Sequence, residues 1–203
     1  MKNIIKHHFK ESSKTISSLK EHEKKIFSVV QLILKTNKNK RKVLVAGNGG
    51  SCSDAEHFAG ELICTFDDRT RKAIAALPLS SHSAAMTAWA NDFGFESFFK
   101  RQVEANGNKG DILFLLSTSG GDMKFKTSTN LIYAAREAKK KGLKIVSLVG
   151  KKGGELKKIS DIFIHVKNYN TAFIQEAHMS ILHCICTCLD KYLVKKNVKK
   201  KKN

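Results

Sequence analysis

The sequence has a single proline, Pro78, and no stretch rich in glycine and serine, so nothing in it reads as an interdomain linker. It has no uninterrupted apolar run of the roughly 18 residues that a membrane span needs, and no span is expected. The opening segment, 1–10, is basic and lacks the apolar core of a secretory leader, so a cytoplasmic protein is expected. Cysteine is sparse and odd in number: Cys52, Cys64, Cys184, Cys186 and Cys188 do not make a fully paired disulfide framework. The last three could suggest a metal cluster. They lie in an apolar helical stretch, where Cys184 and Cys188 share a face and Cys186 points elsewhere, and core packing is expected of them instead.

Acidic residues are scarce as well, 18 against 37 lysines and arginines, for a formal charge of +19. Such an excess is the footprint of nucleic-acid or anionic-membrane binding. Here it is densest in two runs, Lys38 to Lys42 and the last nine residues, six of which are lysine. Neither run has the interleaved aromatics that stack on bases. The expectation is therefore no nucleic acid and no membrane partner, with 195–203 a solvated, disordered lysine-rich tail and a basic surface that attracts anionic substrates.

With 203 residues and 41% apolar content, the chain can form one α/β domain spanning 1–203. Residues 1–40 carry a broad apolar face (Ile16, Leu19, Ile26, Val29, Val30, Leu32, Ile33, Leu34), read as helix and suited to packing on a partner subunit. Short apolar strands then alternate with helices. Strands are expected at 43–46, 73–77, 111–116, 144–149 and 161–166. Helices are expected at 51–63, 84–90, 95–105, 127–141 and 173–194. This alternation predicts a three-layer, doubly wound, five-stranded parallel sheet, flavodoxin-like, with long helices at both ends of the chain. Ligands on such sheets bind beyond the carboxyl ends of the strands.

Two polar loops stand at such ends. Gly47-Asn48-Gly49-Gly50-Ser51 lacks the third glycine of a dinucleotide turn, and no acidic residue ends the second strand to hold a ribose, so NAD is not expected. Ser117-Thr118-Ser119-Gly120 offers hydroxyls and backbone N–H groups near a helix N-terminus, which suits a phosphate. The same pattern serves as an ordinary strand-to-helix turn, and pattern alone leaves both readings open. No nucleotide P-loop is present. His57 and Glu61, four apart, share a helix face and can meet as zinc ligands or as an acid–base pair. Gln175, Glu176, His178 and His183 form a second polar group on the last helix. Gln175 and His183 are about 12 Å apart along a regular helix, too far to grip one ion unaided.

Taken in order, the segments 47–62 (GNGGSCSDAEHFAGEL), 90–95 (ANDFGF), 117–120 (STSG) and 174–178 (IQEAH) resemble the bacterial phosphoheptose isomerases, a sugar-isomerase (SIS) domain family. The likeness runs from about Val43 to Asp190. It implies a homotetramer with sites between subunits, and an aldose–ketose isomerase acting on sedoheptulose 7-phosphate for the heptose of lipopolysaccharide or related glycans. It implies one zinc per subunit on His57, Glu61, Gln175 and His183, with Glu61 and His183 as the acid–base pair. Substrate contacts are implied at Asn48, Gly49, Gly50, Ser51, Asn91, Asp92, Ser117, Thr118 and Ser119, with Ser128 as a fourth phosphate hydroxyl and Glu61 and Gln175 also touching the sugar.

Three features depart from the family pattern. Gly121 to Lys126 form a six-residue insertion, so that Ser128 reaches the phosphate only if the insert folds aside; Lys124 or Lys126 is the alternative source of charge. Thr65 replaces a common arginine, with Arg69 or Arg71 as compensation. Phe173 replaces a basic residue. The alternative function is a non-catalytic SIS-domain protein that senses sugar phosphates or binds a replication initiator; retention of Glu61 and His183 favours the enzyme.

Overall fold

The computed structural model describes the backbone of residues 1–200 and the side chains of 1–194. The expected lysine-rich tail, 195–203, lies outside the described side chains. Five parallel strands, β1 (Val43–Gly47), β2 (Ala76–Pro78), β3 (Ile112–Ser117), β4 (Lys144–Val149) and β5 (Ile162–His165), form one sheet in the order β2-β1-β3-β4-β5. Eight helices accompany them among the described residues: α1 (Lys2–Ser17), α2 (Glu23–Lys38), α3 (Gly50–Ile63), α4 (Ser83–Phe93), α5 (Phe98–Asn106), α6 (Thr129–Lys140), α7 (Gly154–Ile159) and α8 (Thr171–Lys200).

Strand residues alternate between two cores, as the period of two requires. Val43, Val45, Ile112 and Phe114 pack with Val29, Ile33, Phe58, Ile174 and Leu182 from α2, α3 and α8. Leu44, Ala46, Leu113 and Leu115 pack with Phe98, Phe99, Val103, Leu131 and Ala135 from α5 and α6. Burial on both faces is why these strands read as continuous apolar runs. The strand order reverses between β1 and β3, and the loops that leave these two neighbours diverge to opposite faces. That switch point brings Gly47–Ser51 and Ser117–Gly121 side by side.

Five expectations change in detail. The first forty residues are two helices joined by a 3-10 turn over Ser18–His22, not one helix. Thr15 and Ser18 donate their hydroxyls back to the Glu11 and Thr15 carbonyls, a bond that competes with the helix ladder where it breaks. The second strand is Ala76–Pro78 rather than 73–77, because Ile74 donates its N–H to Leu62 at the end of α3 before the chain joins the edge of the sheet. An edge position also tolerates Pro78. The short α7 was not expected. Of the three clustered cysteines, only Cys186 is buried; Cys184 and Cys188 are exposed. Finally, Thr171–Val194 is long and apolar enough to cross a membrane by length and composition, against the expectation of no such run, but half of that stretch is buried inside the protein.

Candidate active site

The glycine loop turns directly from β1 into α3. A side chain at Gly47 would collide with the Ser51 carbonyl one turn on, so the tight turn demands glycine there. Asn48 leaves this loop and exchanges two hydrogen bonds with Asn130 on α6: its Nδ2 donates to Asn130 Oδ1 (2.9 Å), and Asn130 Nδ2 donates back (2.8 Å). The amide pair ties the loops after β1 and β3 together. Asn130 is 4% exposed and was not singled out in the sequence.

After β3 the chain builds a ring of hydroxyls. The Oγ atoms of Ser117 and Ser119 are 3.4 Å apart, those of Ser117 and Ser128 3.4 Å, and those of Ser119 and Ser128 3.5 Å. Ser128 is the N-cap of α6, so the ring sits where that helix presents unpaired N–H groups and about half a positive charge. The insert does fold aside. Asp122 and Thr127 exchange backbone hydrogen bonds of 2.8 and 3.0 Å, and Asp122 Oδ1 accepts from the N–H groups of Lys124 and Phe125. This closed hairpin carries Lys126 to the rim of a cleft of about 830 Å³ that also takes in Asn48, Gly49, Cys52, Glu96, Ser128 and Tyr133. Lys124 instead stands over the Phe125 ring, 5.6 Å from its centroid.

A second cluster lies farther along α3. His57 Nε2 is 3.3 Å from Glu61 Oε1 and 3.3 Å from His183 Nε2, the latter reaching across from α8. The two imidazole centroids are 5.3 Å apart. His57 is at the centre of this chain of three groups. As they stand they do not close on one point: among the described residues, no group of three or more His, Cys, Asp or Glu is arranged to hold a metal ion.

Gln175 is not in this cluster. Its side-chain amide lies against Gly50 at the start of α3, about two turns of α8 from His183, as a rise of about 1.5 Å per residue dictates. Ser51 is buried in the first turn of α3, and Thr118 turns its carbonyl toward Gly150. Asn91 and Asp92 sit exposed at the end of α4, bonded to each other at 2.8 Å, and are not among the residues that line the cleft. Arg71 is not available in place of an arginine at Thr65, because it is buried and paired with Asp190; Arg69 is exposed. Phe173 is buried, its ring 5.1 Å from that of His8.

The SIS domain model matches residues 7–150. A phosphoheptose isomerase of Helicobacter pylori (strain P12) is 42% identical over 184 residues, 91% of each chain. A phosphoheptose isomerase of Campylobacter jejuni is 37% identical over 94% of this chain and 98% of its own length. The chain belongs to the phosphoheptose isomerase family. It is therefore an enzyme of the isomerase class, and the sheet and helices above are those of the family. The solved phosphoheptose isomerase of Neisseria gonorrhoeae superposes with a TM-score of 0.85 at 32% identity, over 94% of this chain and 98% of that one. That of Francisella tularensis gives 0.86 at 33%, over 93% and 97%.

Proposed function

We propose that the protein interconverts sedoheptulose 7-phosphate and D-glycero-D-manno-heptose 7-phosphate through an enediol, supplying the nucleotide-activated heptose of lipopolysaccharide or another surface glycan. The observation that carries this reading is the pairing of an anion cradle with an acid–base group on one fold. Ser117, Thr118, Ser119 and Ser128 receive the 7-phosphate, with the N-terminus of α6 behind them. Asn48 and Gly49 line the cleft, with the backbone of Gly50 and Ser51 following them into α3, and Asn91, Asp92 and Gln175 complete the sugar contacts in the assembled oligomer.

Isomerisation moves a proton from C1 of the ketose to C2 of the aldose, and a second between the oxygens. Glu61, an acceptor only when ionised, takes the carbon proton and returns it to the neighbouring carbon. His183 moves the proton between the two oxygens. His57 lies between them and sets the spacing of the pair.

Zinc fits this donor set. Two imidazole nitrogens and a carboxylate oxygen are its preferred ligand types, and His57 stands 3.3 Å from each of the other two groups; the three would have to close further to share one ion. His57, Glu61 and His183 would hold it; Gln175, beside Gly50 and two turns away on α8, would join them only across subunits of an assembled oligomer. Bound zinc supplies polarisation of the substrate carbonyl.

We read the whole chain as one such domain in a cytoplasmic homotetramer, without nucleic-acid or membrane partners. Support for assembly comes from α1 and α2, which expose Ile4, Ile5, Phe9 and Phe27, and from an apolar groove of about 1030 Å³ between α2 and α8. The test is turnover of sedoheptulose 7-phosphate by the purified protein, with zinc and with a chelator. Aldose formation that the chelator abolishes supports both parts. A folded protein that binds the sugar phosphate without converting it supports a sensor instead.

A further inference from the structure

We propose that Phe66, held by a buried Asp190–Arg71 pair, is a positioning residue for His183; this rests on the reading of His183 as the group that moves the oxygen-bound proton. Asp190 and the Arg71 side chain are each 1% exposed. One carboxylate oxygen, Oδ2, accepts three successive backbone N–H groups, from Phe66 (3.2 Å), Asp67 (2.8 Å) and Asp68 (2.9 Å), while Oδ1 accepts from Arg71 Nε. The chain leaving α3 is thus wrapped around a single buried anion.

Arg71 directs its remaining donors to the carbonyls of Leu62 (3.0 Å), Lys72 (2.9 Å) and Glu61. Those of Leu62 and Glu61 belong to the last turn of α3, where carbonyls have no partner within the helix. The pair therefore binds three things at once: α8 through Asp190, the end of α3 that carries Glu61, and the loop after it. Asp190 and His183 are seven apart on α8 and share a face.

The consequence reaches the site through Phe66. With its N–H fixed on Asp190, the Phe66 ring lies on the His183 ring, centroids 5.2 Å apart and planes 30° apart. His57 flanks the same imidazole on another side, at 5.3 Å. His183 is held between two rings, and both rings are carried by α3 or its C-terminal extension. A buried ion pair is a poor way to gain stability, since apolar residues of the same volume often serve as well or better. What this pair supplies is geometry: it fixes one loop, and with it one ring, against one imidazole.

Five variants test this. In Phe66→Ala, kcat for sedoheptulose 7-phosphate should fall by roughly tenfold to a hundredfold, the scale of a small misplacement of a reacting group. KM should stay within about twofold, because the phosphate and sugar contacts are untouched. Phe66→Tyr keeps the ring and should restore kcat. Asp190→Asn keeps the shape but weakens the hold on the loop, and should lower kcat in the same sense. Rates are read well below each variant's thermal midpoint. Independently of activity, a crystal structure of Phe66→Ala should find the His183 ring turned away from His57. Should Phe66→Ala not fold, Phe66→Leu, without the aromatic face, carries the same expectation. Wild-type kcat in the folded variant, or an unmoved His183 ring, overturns the proposal. His183→Ala is the control: if it retains turnover, the assignment of His183 fails; if it is inactive while Phe66→Ala is fully active, only the positioning role fails.

Discussion

At the residue scale, the proposed roles can be removed one side chain at a time. Glu61→Gln removes the proposed carbon base while keeping the shape of a side chain that is 25% exposed. Its kcat should drop by about a thousandfold or more, with the thermal midpoint within a few degrees of wild type, as loss of a general base in a tolerant position implies. Steady-state rates and a thermal melt check both halves. Ser128→Ala should act differently: it deletes one proposed hydrogen bond to a charged phosphate, a loss of about 1.5–3 kcal/mol, and should appear mainly in KM.

His178 has a separate consequence. It is fully buried, neither ring nitrogen has a hydrogen-bond partner of good geometry, and burial lowers its pKa to about 4, with the Val149 carbonyl opposing only part of that fall. Between pH 6.5 and about 4 the unfolded chain holds a proton on this ring that the folded one refuses. Stability from this group is therefore complete above pH 6.5 and is lost as pH falls toward 4, by a few kcal/mol on the order-of-magnitude conversion of pKa to free energy. Urea melts at pH 7.5 and 4.5 should show that loss, and His178→Leu should flatten it.

At the scale of elements, loops do the positioning. Gly120 has φ +75°, and a Cβ there would run into the Gly153 backbone, itself at the turn into α7. Gly120→Ala should destabilise the fold by on the order of 2 kcal/mol or more, read by denaturant melts, because the strain falls on backbone that has no room to yield. The central strands were legible in the sequence because burial on both faces writes them as unbroken apolar runs, as at Val43–Ala46 and Ile112–Leu116. The short α7 was not: its GELKKI stretch opens on glycine and buries only Leu156. The His57–Glu61 pairing was legible from helical spacing alone. The approach of His183 to His57 joins residues 126 apart, and so does not follow from any local period; it entered through resemblance. The same holds for Asn48 with Asn130 and for Asp190 with Arg71, whose partners are chosen by packing.

At the scale of the whole molecule, one protomer places the Ser117–Ser119–Ser128 cradle at the start of α6 and the His57–Glu61–His183 group well along α3, with Asn91 and Asp92 facing solvent. The apolar residues exposed on α1 and α2 are the surface we propose for packing against other copies. Phe27→Lys places a charge on that face and should lower both the mass measured by light scattering and the turnover, together. The most direct test of the central claim is conversion of sedoheptulose 7-phosphate in D2O, carried to equilibrium and followed by NMR. The account predicts that the aldose forms and that deuterium enters at C2, because a carboxylate holding the proton exchanges it with solvent. An aldose that keeps only protium at C2 would contradict the enediol and the role of Glu61, and no aldose at all would contradict the substrate.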